Sequence, residues 1–375
     1  PDPVYAWNVV EKTNQGGAAI TVIDMTSQSW LTTNEVSRTV WRHWLTVVRP
    51  DGASAPVGLL FITGGSNKPG KPPRAAAELV HIAKATRSVV AELRMVPNQP
   101  LVFGNDGEER VEDNLIGYTW DKSLRTGDER WPARLPMTKA AVRAMDTVTA
   151  FCASPGGGAL AVNRFVVAGA SKRGWTTWTT AAVDPRVVGI CPIVIDVLNL
   201  EPSMQHHYQA YGFWAPSVKD YVRHRTFDWF GTSQIRNLNR IEDPYEYRER
   251  LTMPKLILNA CGDQFFLPDS SQFYFKDLPG IKYLRYVPNA DHSLKGSDAF
   301  ETLQAWHYAL VHHAKLPRFS WTGDADGPLR VLTESTPREV RFWQANNPVA
   351  RDFRLETLGP AWTSRPLAPD AAGAY

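Results

Sequence analysis

The seven residues 57–63 (VGLLFIT) carry no polar alternation, and they follow the turn signal Pro50-Asp51-Gly52. A strand wetted on one face alternates apolar and polar residues, whereas a strand covered on both faces reads as a continuous apolar run. The run therefore commits the chain to a layered architecture with a parallel sheet inside. The rest alternates accordingly, with helices over 74–86, 112–124, 138–152, 172–183 and 298–315, and strands over 88–94, 164–169, 187–190, 255–260 and 281–287. Strands separated by helical patterns predict a mostly parallel, helix-covered α/β sheet. Ahead of it, 18–24 and 38–49 alternate at period two, as half-buried antiparallel strands do.

Two segments break the rhythm. Residues 199–252 interrupt two core strands with 54 residues holding ten aromatics, which reads as an insertion over one end of the sheet. After Pro317 the helical pattern stops, and short period-two stretches at 329–333, 339–345 and 351–356 predict a small β-rich domain over 317–375. Its Pro/Ala-rich end, 366–375, has no evident strand to pair with, so the domain is expected to be incomplete in the 375 residues.

Composition excludes several classes. The 41 Lys+Arg and 38 Asp+Glu are interleaved at a net +3, which offers no nucleic-acid footprint. No apolar run reaches the roughly 18 residues of a membrane helix. Cys152, Cys191 and Cys261 lack metal-ligand spacing, and no metal or cofactor is implied. The chain begins with Pro1, so a leader removed earlier would leave no trace. Fourteen Trp exceed what a core requires, and part of that excess is expected to line a binding surface.

The string Gly169-Ala170-Ser171-Lys172-Arg173-Gly174 lies where an apolar strand meets a helix, the setting of a nucleophile elbow. Such a turn wants small residues two before and two after the serine. Gly169 meets this; Arg173 does not, and Gly174 comes one residue late. A lone serine that merely caps a helix fits the same string. A nucleophilic serine needs a histidine to take its proton and a carboxylate to orient the histidine. Asp263 follows the strand at 255–260 and His292 follows the strand at 281–287, 92 and 29 residues along in the order Ser, acid, His. All three fall at carboxyl ends of strands, where such sheets bind ligands. Asp196, after the strand at 187–190, is the rival acid. Oxyanion donors are expected from Lys172 N–H and from Gly65 and Ser66 in the loop after 57–63. Substrate-binding candidates are Trp214, Trp229 and Phe230 in the insertion, with Trp175 and Arg173 beside the serine.

These residues resemble the PhoPQ-activated pathogenicity-related protein family. The matching stretches are Met25-Thr26-Ser27-Gln28 with Trp30, 92–103 (ELRMVPNQPLVF), 112–120, Leu135-Pro136-Met137-Thr138, Ser171-Lys172-Arg173-Gly174-Trp175, 262–270 and 343–354. The resemblance implies an α/β-hydrolase fold over 1–316, with an aromatic-rich lid at 199–252 and the β-rich region behind it. It also implies export, to the periplasm or outside the cell, and makes Arg173 a family feature. The expected function is a serine hydrolase acting on a small-molecule, peptide or carbohydrate ester or amide. The alternatives are a prolyl-oligopeptidase-like aminopeptidase, which needs an anionic pocket from Glu201, Asp220 or Asp228, and a non-catalytic secreted binding or signalling protein. Oligomeric state is not legible.

Overall fold

A computed structural model describes residues 2–323 and 327–375. Its first elements are β1 (Ala6–Asn14), β2 (Ala18–Ser29), β3 (Val40–Pro50), β4 (Val57–Ile62), α1 (Ala77–Thr86) and β5 (Val90–Leu93). Then come α2 (Glu112–Thr126), α3 (Arg134–Ala153), β6 (Arg164–Ala170), α4 (Lys172–Val183) and β7 (Val187–Ile193). The insertion supplies α5 (Leu200–Tyr211), α6 (Lys219–Arg223), α7 (Ser233–Glu242) and short 3-10 turns. The sheet resumes with β8 (Lys255–Ala260) and β9 (Lys282–Val287), covered by α8 (Ala299–His312).

Nine strands form one sheet in the order β1-β2-β3-β5-β4-β6-β7-β8-β9. The steps from β1 to β5 are antiparallel and those from β5 to β9 parallel. All six residues of β4 and all six of β8 are buried, as the unbroken apolar run of β4 and the apolar centre Leu256-Ile257-Leu258 of β8 require. Helices α1 and α8 cover one face over a core that includes Leu59, Val166 and Leu258. Helices α2, α3, α4 and the insertion cover the other, around Trp120, Met145 and Trp178. This is the α/β-hydrolase arrangement. No helix among the described residues is long and apolar enough to cross a membrane.

Several expectations need correction. Strand β1 carried no signal, because nearly all of it is exposed on both faces at the sheet edge. Helix α3 begins at Arg134, four residues before the expected start, and runs through Pro136; a first-turn proline loses no helical hydrogen bond. After Pro317 the chain forms the hairpins β10 (Phe319–Thr322) with β11 (Arg330–Thr333), and β12 (Arg341–Gln344) with β13 (Thr363–Pro366). The strand expected over 351–356 is not there. Asp352 accepts from the Arg354 amide and guanidinium, and the helical turn α9 (Leu355–Leu358) follows. Nor does 366–375 lack a partner, since Tyr375 exchanges both backbone hydrogen bonds with Val331 at 2.8 and 2.9 Å.

Candidate active site

Ser171 occupies the corner between β6 and α4 with φ 57° and ψ −124°, a left-handed conformation that costs an L-residue energy. Its N–H is held by the Ile193 carbonyl at 2.8 Å. The close crossing of strand and helix explains the spacing of the glycines. A Cβ on Gly169 would lie 2.7 Å from the Arg173 carbonyl oxygen, and one on Gly174 2.8 Å from Ile195 and 2.9 Å from the Gly169 oxygen. The crowded position after the serine is therefore Gly174, and Arg173 escapes it sideways. Its Nε donates to the Val96 carbonyl and its two Nη groups to both oxygens of Glu112, at 2.8 and 2.6 Å. The guanidinium fills the space a side chain on residue 64 would need, so Gly64 lets it pass. Burial works to raise the Glu112 pKa, but Arg173, Lys172 and Gln99 outweigh it and hold the carboxyl at about 2. Arg173 is thus buried beneath the loop after β4 and does not line the pocket beside Ser171, contrary to its expected contact with substrate.

Asp263, on the loop after β8, is buried and turns one oxygen to the amides of Phe265 and Phe266, at 2.7 and 3.4 Å. Its other oxygen accepts from His292 Nδ1 at 2.8 Å. The His292 amide donates to Gln264 Oε1 at 3.0 Å, and the Phe265 ring lies 4.4 Å from the imidazole, centre to centre. One short loop therefore fixes the histidine by acid, amide and aromatic face together. The rival acid has other partners. Asp196 is fully buried and accepts from Tyr274 Oη at 2.5 Å and from Tyr286 Oη. Burial pushes its pKa up to about 7 against those two hydrogen bonds.

Beside Ser171 opens a narrow pocket. Trp120, Trp175, Met204, Tyr221, Phe227 and Phe266 make much of its wall. Of the aromatics expected there, Trp175 lines it, whereas Trp214, Trp229 and Phe230 do not. Trp214 stacks on Phe227 at 3.8 Å between ring centres, and Phe230 packs against Phe227 at 5.5 Å, so both brace the wall from outside. Trp229 packs against the adjoining core. Phe265 and Phe266 were readable as neighbours of Asp263 in sequence; Trp120 and Tyr221 gave no local signal. Ser171 lines this pocket together with Phe265, which packs against His292, and no hydrogen bond joins the Ser171 and His292 side chains among the described residues. The Lys172 amide opens α4 at its N-terminus. Gly65, at φ 140°, and Ser66 follow on the loop after β4, which the Met95 amide anchors through Gly64 O at 2.9 Å.

The model of the PhoPQ-activated pathogenicity-related protein family matches residues 1–354. The chain belongs to that family. A relative, the autocrine proliferation repressor protein A of Dictyostelium discoideum, is 36% identical over 402 residues, covering 100% of this chain and 80% of its own. Two acetyl xylan esterases share the fold at a TM-score of 0.56. The enzyme of Paenibacillus sp. R4 is 18% identical, with 82% of this chain and 89% of its own covered. Acetyl xylan esterase 1 of Thermoanaerobacterium sp. JW/SL YS485 is 13% identical, with 83% and 89% covered. The stretches that carry the resemblance contribute to the site just described: 92–103 holds Val96, 112–120 holds Glu112 and Trp120, and 262–270 holds Asp263 and both phenylalanines.

Proposed function

We propose that this PhoPQ-related protein is an exported serine hydrolase that cleaves an ester or amide through an acyl-enzyme. The observation that carries the reading is the 2.8 Å bond from His292 to buried Asp263, at the same sheet end as a backbone-strained Ser171. With Nδ1–H donated to the carboxylate, His292 Nε2 keeps its lone pair for the serine proton. Ser171 Oγ attacks the carbonyl carbon while its proton passes to Nε2. The oxyanion is received by N–H groups of Lys172 and of Gly65 or Ser66, each donor being worth about 3 kcal/mol. The intermediate collapses, the C–O or C–N bond breaks, and the imidazolium returns the proton to the leaving group. Water then repeats the sequence, yielding the acid and free Ser171. Export rests on the family resemblance.

The aminopeptidase alternative finds less support. Glu201 accepts from the Gly231 amide at 3.1 Å and Asp228 pairs with Arg225 at 2.7 Å, and neither these nor Asp220 line the pocket. The repressor activity in the Dictyostelium relative's name favours the second reading, a signalling protein without catalysis. A fluorophosphonate probe decides between enzyme and binder. The enzyme reading expects covalent labelling at Ser171 alone, abolished by Ser171→Ala and nearly so by His292→Ala. Folded protein that stays unlabelled near pH 8 is the result expected of the binder.

A further inference from the structure

The pocket beside Ser171 has three ionisable groups of formal charge in its wall, Asp113, Arg134 and Lys172, and each is already compensated. Lys172 Nζ contacts Asp113 at 2.8 Å and Glu112 at 3.2 Å. The other Asp113 oxygen accepts from Tyr221 Oη at 3.0 Å. Arg134 is buried, pairs with buried Glu242 at 2.8 Å, and lies 3.8 Å above the Trp175 ring. A charged group entering this pocket would lose its water and meet wall charges that already have ion-pair partners, a large penalty among apolar walls.

A second, roomier cleft runs past His292. It abuts the α1/α8 layer and is edged by Glu78, Ser293, Lys295 and Glu301. The chemistry assigns the two spaces. His292 must protonate the leaving group, so the leaving group has to lie on the histidine's side of Ser171. The pocket lined by Ser171 and not by His292 is left for the acyl half.

Resting on the serine-hydrolase reading, we propose that the substrate's acyl group is uncharged and apolar, and that the leaving group departs through the second cleft, at His292. This separates the substrate class from anionic acyl esters and from cationic aminoacyl amides alike.

The test compares kcat/KM for 4-nitrophenyl butyrate, phenylacetate, hemisuccinate and glycinate, with fluorophosphonate labelling of the same preparation. The neutral esters are expected to exceed both charged ones by about tenfold or more, and the gap should persist in high salt, since desolvation rather than long-range attraction sets it. Phe266→Lys places an unpaired cation in the pocket wall and should raise hemisuccinate relative to butyrate severalfold. Protein that labels at Ser171 yet hydrolyses hemisuccinate or glycinate as well as butyrate overturns this inference and leaves the hydrolase reading standing. Protein that neither labels nor turns over any ester overturns the hydrolase reading, and this inference with it.

Discussion

Arg173 holds both carboxylate oxygens of Glu112, at 2.6 and 2.8 Å, from the second position after the nucleophile candidate. The pair fastens the start of α2 and, through Val96 and Gly64, the loop after β4 to the corner that carries Ser171. Arg173→Lys loses the two-pronged geometry and leaves Glu112 half paired. A loss of about 1–3 kcal/mol in urea unfolding is expected, below the value for a fully buried pair because Glu112 keeps some solvent access. The same variant should lower kcat more than it raises KM, because the loop proposed to receive the oxyanion loses its contact with Arg173. Unchanged kcat in a destabilised protein would show that the pair serves the fold alone.

Asp263→Asn should preserve packing and reverse the hydrogen bond to His292. The asparagine amide then donates to Nδ1, the proton moves to Nε2, and the ring can no longer accept from Ser171. A fall of roughly 10³–10⁴ in probe-labelling rate follows. Asp196→Asn, away from the histidine, should label within about threefold of the unmodified protein. Reversed ranks would make Asp196 the orienting acid.

Asp196 has a stability signature of its own. Its pKa, about 7 in the folded protein, lies above the ordinary carboxyl value of 3.8. The unfolded chain therefore releases this proton at lower pH than the folded one does. Below about pH 4 both states are protonated and the group is neutral in the balance. Between about pH 4 and 7 the unfolded state alone ionises, and stability declines by on the order of 1.4 kcal/mol per pKa unit of difference. Denaturant midpoints for Asp196→Asn should lack this component, so the gap between variant and parent should shift in the variant's favour from pH 4 to pH 7. A gap flat across that window would refute it.

Gly174→Ala should destabilise by about 2 kcal/mol or more. The added Cβ meets backbone oxygens of Gly169 and Ile193 at 2.9 and 3.0 Å, and neither can yield without moving a central strand. Thermal unfolding checks this. A shift below about 1 °C would mean that the helix slides to make room.

Phe227 forms pocket wall, Trp214 stacks behind it, and Trp229 packs against the adjoining core. Alanine at each should raise KM for phenylacetyl esters in the order Phe227, then Trp214, then Trp229, with acetyl esters little affected. Equal effects on both ester sizes would place these rings outside substrate contact.

How much of this was legible follows from where each signal originates. Strand β4 was readable because burial on both faces leaves an unbroken apolar run, β8 because Leu256-Ile257-Leu258 form an apolar centre, and the loops of Ser171, Asp263 and His292 were readable because each follows a strand. Strand β1 was not, since an edge strand wetted on both faces has no pattern to show. Arg173 was misplaced because a string gives positions and not directions; only the crossing of α4 over β6 shows that Gly174 bears the crowding. The pocket wall was half missed for a related reason: Trp120 and Tyr221 come from different helices, and nothing local marks their convergence.

Leu355 donates its amide to the Gly262 carbonyl at 3.0 Å, and a Cβ on Gly262 would collide with the Leu355 side chain. Arg351 and His206 both reach Asp269 on the same loop. The loop bearing Asp263 is thus clasped by a segment some ninety residues later in the sequence. Proteolytic nicking between β10 and β12, or deletion of the residues after Thr333, would leave the sheet, Ser171 and the Asp263–His292 pair covalently intact. It would nevertheless free that loop to drift. On the proposed hydrolase reading, activity would decay well ahead of the main unfolding transition, and working lifetime in a protease-rich setting would be set by how long the distal clasp stays closed.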